Sequence, residues 1–156
     1  MADSASVTME ATILPDEIAK VISGSLTVTP ADSGDKWYYK ISRVANSSSV
    51  LMNGSYIGRT GNTTTPIADE TAMEATATGD KIKFLFVKNT HASADIYICI
   101  SAAATAASAS NSGNIKVSAG NCVALESPNT TLANITAISS TGNVDCIVAA
   151  LLDDVA

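Results

Sequence analysis

Along residues 81–88, KIKFLFVK, apolar side chains fall on both parities of an extended chain. Ile82, Phe84 and Phe86 point to one face, and Leu85 and Val87 to the other. The same holds at 144–152, where Val148, Ala150 and Leu152 alternate with Ile147, Ala149 and Leu151. A half-buried strand is apolar on one face only, so these two segments need cover on both sides. Residues 95–101 are cleaner, with Ile96, Ile98 and Ile100 opposite Tyr97, Cys99 and Ser101. In 36–44, KWYYKISRV, alternation places Trp37, Tyr39 and Ile41 on the core face and Tyr38, Lys40 and Ser42 outside.

Further strands are predicted at 26–29, in 115–126 around a turn at Ala119-Gly120-Asn121, and at 132–140. In 50–60, Asn53-Gly54 lies between apolar residues and signals a hairpin. Segment 61–80 is polar and reads as a loop or an edge. Segment 102–114 is rich in Ala and Ser and lacks a large apolar residue to dock a helix, so it reads as a long exposed loop or loose hairpin. Strand signals at regular spacing, with turns between, predict an all-β fold: an antiparallel sandwich, jelly-roll-like, of about 8–10 strands. The sandwich is expected to occupy 26–156.

Residues 1–25 read as an N-terminal arm. ILPDEIAKVI carries Pro15, early acids and Ile18, Val21 and Ile22 at helical spacing, which suits one or two turns of helix; an extended arm suits it equally. In either form Met9, Ile13, Leu14 and Ile18 need burial against something. One apolar face of 81–88 and of 144–152 is expected to fill the sandwich, and the other to pack on another subunit or on the arm. Leu85, Val87, Ile147 and Leu151 are the sheet candidates for that contact, with Met9, Ile13, Leu14 and Ile18 from the arm.

Composition sharpens this picture. Of 156 residues only 15% are charged, against a typical ~25%, while 46% are hydrophobic. Surface built from Ser, Thr, Asn, Ala and Gly is easily buried against another protein, because few charges need desolvation. The formal net charge is −6, and cations do not cluster beyond Lys81 and Lys83, which excludes a nucleic-acid footprint. No run of 18 apolar residues is present to span a membrane, and the first residues do not read as a secretory signal. Cys99, Cys122 and Cys146 lie beside apolar residues and are expected to be reduced core thiols, as in a protein made in a cytoplasm.

Candidate chemistry is sparse. One histidine and no C-x-x-C argue against a metal site. His91 among serines and threonines reads as a loop histidine. Asp32 and Asp35 flank Gly34 in a turn, where Asp side chains cap local N–H groups. Asp153 and Asp154 read as a solvated tail. Trp37, Tyr38 and Tyr39 would make a sugar-stacking platform if exposed, but their alternation favours the core. No phosphate loop or nucleophile elbow is found, so an enzyme is not expected and no cofactor is implied.

The ordered segments DKWYYKISRVANSS (35–48), GDKIKFLFVKNT (79–90), IYICISAA (96–103) and 115–154 resemble virion structural proteins of tailed bacteriophages, cyanophage-type ones in particular. The matching residues are Phe86 to Thr90, Ile96 to Ile100, Gly120 to Leu125 and Val144 to Leu152. The resemblance implies a β-sandwich that decorates or cements a capsid. Its partners would be the major capsid protein and copies of itself, as a trimer ahead of a dimer, at the capsid surface of a virion made in the host cytoplasm. The alternative is a tail- or fibre-associated adhesion or carbohydrate-binding β-module.

Overall fold

The computed structural model describes residues 4–13, 20–32, 34–52, 76–77, 79–101, 106–110 and 113–153. These residues hold ten strands: β1 (Ala5–Ile13), β2 (Lys20–Val28), β3 (Asp35–Val44), β4 (Ser49–Val50), β5 (Lys81–Asn89), β6 (Ile96–Ile100), β7 (Ile115–Val117), β8 (Cys122–Thr131), β9 (Ile135–Ser139) and β10 (Val144–Asp153). A single 3-10 turn, Leu132–Asn134, is the only helical element among them. β1 and β2 form a two-stranded ribbon, and the other eight form two four-stranded sheets, β3-β10-β5-β8 and β4-β9-β6-β7. All pairs are antiparallel. Consecutive strands are dealt between the two sheets in jelly-roll-like order, so the expected all-β sandwich is the fold.

The inner faces of the two sheets make the main core. Tyr38, Val44, Ile82, Leu85, Val87, Val148, Ala150 and Leu152 of one sheet meet Ile96, Ile98, Val117, Ile135 and Ala137 of the other. Among the described residues, none before Tyr38 contributes to this cluster. The turn expected at Gly120 is present and Gly142 makes another; they adopt φ of 73° and 57°, a region open to glycine at little cost. The buried Asn89 clamps the end of β5. Its Nδ2 donates to the carbonyls of Ala94 (2.8 Å) and Val117 (3.1 Å), and its Oδ1 accepts from the His91 N–H (3.0 Å). Thr90 Oγ1 donates to the Asp145 carbonyl at 2.6 Å, so the FVKNT segment ties three strands together.

Four sequence expectations are corrected. Segment 20–28 is strand from Lys20, not helix, so the boundary expected near residue 25 falls inside β2; residues 14–19 lie outside the described set. On β3 the alternation is inverted: Tyr38, Ser42 and Val44 point inward, while Tyr39 and Ile41 are exposed and Trp37 is half-buried on the outer face. On β5 a bulge at Lys83, between the paired residues Ile82 and Phe84, breaks the period. Ile82 therefore joins Leu85 and Val87 in the main core, and Phe84 and Phe86 turn outward. Cys99 and Cys146 are buried but Cys122 is exposed, because it opens β8 at a sheet edge. The Asn53-Gly54 hairpin signal and most of 61–80 lie outside the described residues. Of the Ala/Ser-rich segment, the described part is irregular, and Ala107 is buried with its N–H on Ser48 Oγ at 2.8 Å.

Candidate functional site

The outer face of β3-β10-β5-β8 is built in cross-strand rows. Trp37, Leu151, Phe84 and the exposed Glu126 make the first, Tyr39, Ala149, Phe86 and Ala124 the second, and Ile41, Ile147, Lys88 and Cys122 the third. Neighbouring side chains on one face of such a ladder lie ~5 Å apart, so each row is a continuous surface. Ion pairs bracket the rows. Beyond the third, Arg43 and Asp145 pair at 2.8 and 3.3 Å, which holds the carboxylate below its usual range and the guanidinium above. Beside the first, the bulge turns Lys83 onto the fully buried Asp35, with Asp153 at 3.8 Å. Burial lowers the Lys83 pKa, but the hydrogen bond and charge of Asp35 outweigh it and hold the ammonium above its ordinary value. Asp153 is thus part of β10, not a free tail. Between these self-neutralised ends the surface is mostly apolar.

The β1–β2 ribbon lies over one end of this face. Its register fixes two sides. Ala5, Val7, Met9, Ala11 and Ile13 with Lys20, Ile22, Gly24, Leu26 and Val28 form one side, which is apolar except for the exposed Lys20 at its outer end. Ser6, Thr8, Glu10 and Thr12 with Val21, Ser23, Ser25 and Thr27 form the other. The root of the apolar side is docked: Val28, with Val7 and Leu26, packs on Phe84, Leu151, Trp37, Phe86 and Ala124 as a second core. Beyond the root the same side is bare. Met9 is 50%, Ile13 46% and Ile22 59% exposed; on the sheet Tyr39 is 51% and Ile41 64% exposed.

Each predicted contact residue can now be placed. Leu151 is on the outer face and fully covered by the ribbon root, and Ile147 is half-buried on the open third row. Met9 and Ile13 lie on the bare apolar side of the ribbon; Leu14 and Ile18 fall outside the described residues. Leu85 and Val87 do not belong to this surface: both are fully buried between the sheets. The residues that sequence reasoning missed are Phe84, Phe86, Tyr39, Ile41 and Ile22. The signal for two of them was present: β3, like β5 and β10, is apolar on both parities, with Tyr38 and Val44 opposite Trp37, Tyr39 and Ile41.

Other polar groups have structural work. Asp32 Oδ1 accepts the Gly34 N–H and Asp35 Oδ2 that of Ala31, the capping expected of this turn. His91 Nδ1 accepts the N–H groups of Ser93 (3.1 Å) and Ala94 (2.8 Å), which shapes its loop. Among the described residues no group of three or more His, Cys, Asp or Glu is placed to hold a metal, and no helix is long and apolar enough to cross a membrane. Comparison with protein-family models, curated proteins and solved structures finds no match to this chain.

Proposed function

We propose that this chain is a non-enzymatic structural protein of a phage virion, a decoration or cement protein that binds an assembled capsid shell. The virion assignment rests on the resemblance carried by the FVKNT segment and the β6, β8 and β10 sequences. The observation that carries the mode of action is the ribbon, whose apolar side runs on past the body that anchors it. A two-stranded ribbon is marginal alone in water, so its bare half suits burial against another subunit. Low charge keeps that burial inexpensive. A protein that binds the shell and not its separate subunits stabilises the shell by mass action. The major capsid protein is the proposed partner, and self-association, a trimer ahead of a dimer, presents several copies at once.

The test is co-sedimentation of purified protein with shells that lack it. Saturable binding, with a rise in the temperature at which the shells open, is expected; no binding at micromolar protein rejects the reading.

One observation favours the alternative of an adhesion or carbohydrate-binding module. Tyr39 is exposed on the same face as the half-buried Trp37, two residues along one strand. Glycan titration separates the two: a decoration protein gives no saturable binding, whereas a sugar platform gives binding that Tyr39→Ala removes.

A further inference from the structure

We propose that the bare half of the β1–β2 ribbon packs on the open second and third rows of β3-β10-β5-β8 in a second copy of this chain. The inference deepens the proposed function by naming the surface through which the decoration protein assembles, and it rests on that reading only for its setting in a virion.

Each copy carries a surplus of both halves of one contact. The ribbon root already shows which chemistry fits: Val7, Leu26 and Val28 are seated on Phe84, Leu151 and Trp37. Past the root, the ribbon continues with Met9, Ala11, Ile13 and Ile22, and past the covered row the sheet continues with Tyr39, Ile41 and Ile147. The ribbon root of the same chain reaches Phe86 and Ala124 of the second row but leaves Tyr39 and Ile41 exposed and Ile147 half-buried. A second copy supplies what each surface lacks, in the chemistry already used once within the chain.

Charge agrees with an apolar occupant of this kind. The charges bordering the open rows pair within their own sheet, as Arg43 with Asp145, and Lys88 donates to the Gly120 carbonyl. On the ribbon Glu10 belongs to the side away from the apolar row, and the one charge on the apolar side, Lys20, stands opposite Ile13 at its outer end, where it borders the contact. The β3 edge of the sheet is a poor docking site, since the strand carries Lys40 and the exposed Arg43, residues that blunt edge pairing. Association therefore runs through the face. Seven side chains are few beside the ~20–30 residues a side of a standard interface. The contact gains strength by closure, in which each copy gives its ribbon to one neighbour and receives another, and so makes the contact twice.

Three variants of the full chain test this by sedimentation velocity and light scattering, each first shown to melt cooperatively. Ile22→Lys spoils the ribbon side and Ile41→Lys the sheet side. Each is expected to weaken self-association at least ~30-fold, the loss of one central contact residue. Val21→Lys introduces the same charge next to Ile22 but on the opposite side of the ribbon, where Val21 is 63% exposed, and is expected to leave assembly unchanged. If a lysine variant does not fold, Ile22→Ser and Ile41→Ser replace it. A native chain that is monomeric overturns the inference, as does a loss confined to one of Ile22 and Ile41, or an equal loss with Val21→Lys. Shell binding is read separately. A native oligomer that ignores shells rejects the decoration reading and leaves this contact standing. Shell binding by a native monomer does the reverse.

Discussion

Leu85 and Phe86 are neighbours on β5, yet they live in different environments. Leu85 faces inward, where a second sheet from the same chain closes over it. Phe86 faces outward, where a ribbon covers the first row of side chains and part of the second and leaves Tyr39 and Ile41 exposed. One face is sealed by a whole sheet and the other by the root of an arm. The inner face therefore governs whether the chain folds, and the outer face is the proposed surface of contact. Equal hydrophobicity at the two positions hides this difference, because the consequence of an apolar side chain depends on what is available to cover it.

The largest contrast is expected between Leu85→Lys and Ile41→Lys. The first puts an unpaired charge into a site with no solvent, at a cost of more than ~4 kcal/mol, and is expected to abolish the cooperative thermal transition. The second adds a charge at an exposed position and should leave that transition in place. A folded Leu85→Lys variant would show the inner face to be less closed than described.

Phe84 tests the junction of the two regions. It is buried, but by the ribbon root rather than by the opposing sheet. Phe84→Ala is expected to cost roughly 3 kcal/mol, and to speed hydrogen exchange in 5–13 and 20–28 before the strands of the main core. Uniform loss of protection would mean that ribbon and sandwich unfold as one unit. Removing residues 2–19 should likewise leave a folded sandwich, since among the described residues the main core takes none from before Tyr38. A truncated chain without a melting transition would show that β1 is part of the folding unit.

Asn89 also faces inward, and Asn89→Ala strands the carbonyls of Ala94 and Val117. The expected loss is about 2 kcal/mol, read from the midpoint of urea unfolding. A loss below a few tenths would mean that water takes its place.

The cysteines give the mildest probe of the same comparison. Burial, with the nearby Asp145 charge, pushes the Cys146 thiol up to about 11, so it stays protonated at neutral pH. Cys122 is exposed in the third outer row. An aromatic disulfide reagent should modify Cys122 rapidly and Cys99 and Cys146 only on unfolding. Because the folded-state pKa of Cys146 lies above its ordinary value of 9.0, its contribution is complete below pH 9 and is lost as pH rises toward 11. Alkaline destabilisation in that window should shrink in Cys146→Ala; an unchanged profile would assign it to other groups.

Much of this fold was legible in the sequence. Eight strands follow from alternation and turn residues, and Gly120 and Gly142 mark their turns correctly. Two-faced strands were legible too, and with them the need for a second cover. Which face was which was not. On β5 the bulge at Lys83 shifts the period by one residue, and a bulge set by the pairing of three strands leaves no local mark. On β3 hydrophobicity favours Trp37, Tyr39 and Ile41 for the core, but Tyr38, Ser42 and Val44 are the residues buried on the inner face. Met9 and Ile13 were recognisable as apolar residues in need of cover. Their partner strand was not, because helical spacing at Ile18, Val21 and Ile22 coincides with a segment that pairs with β1.

The central claim is that the open outer face of β3-β10-β5-β8 and the bare side of the ribbon exist to be covered by another copy. The measurement that reaches it most directly is sedimentation velocity of the unaltered chain over a dilution series from high micromolar to nanomolar. One closed oligomer of two or three copies is expected, giving way to monomer on dilution. A monomer at every concentration would contradict it, and so would a polymer without a defined end.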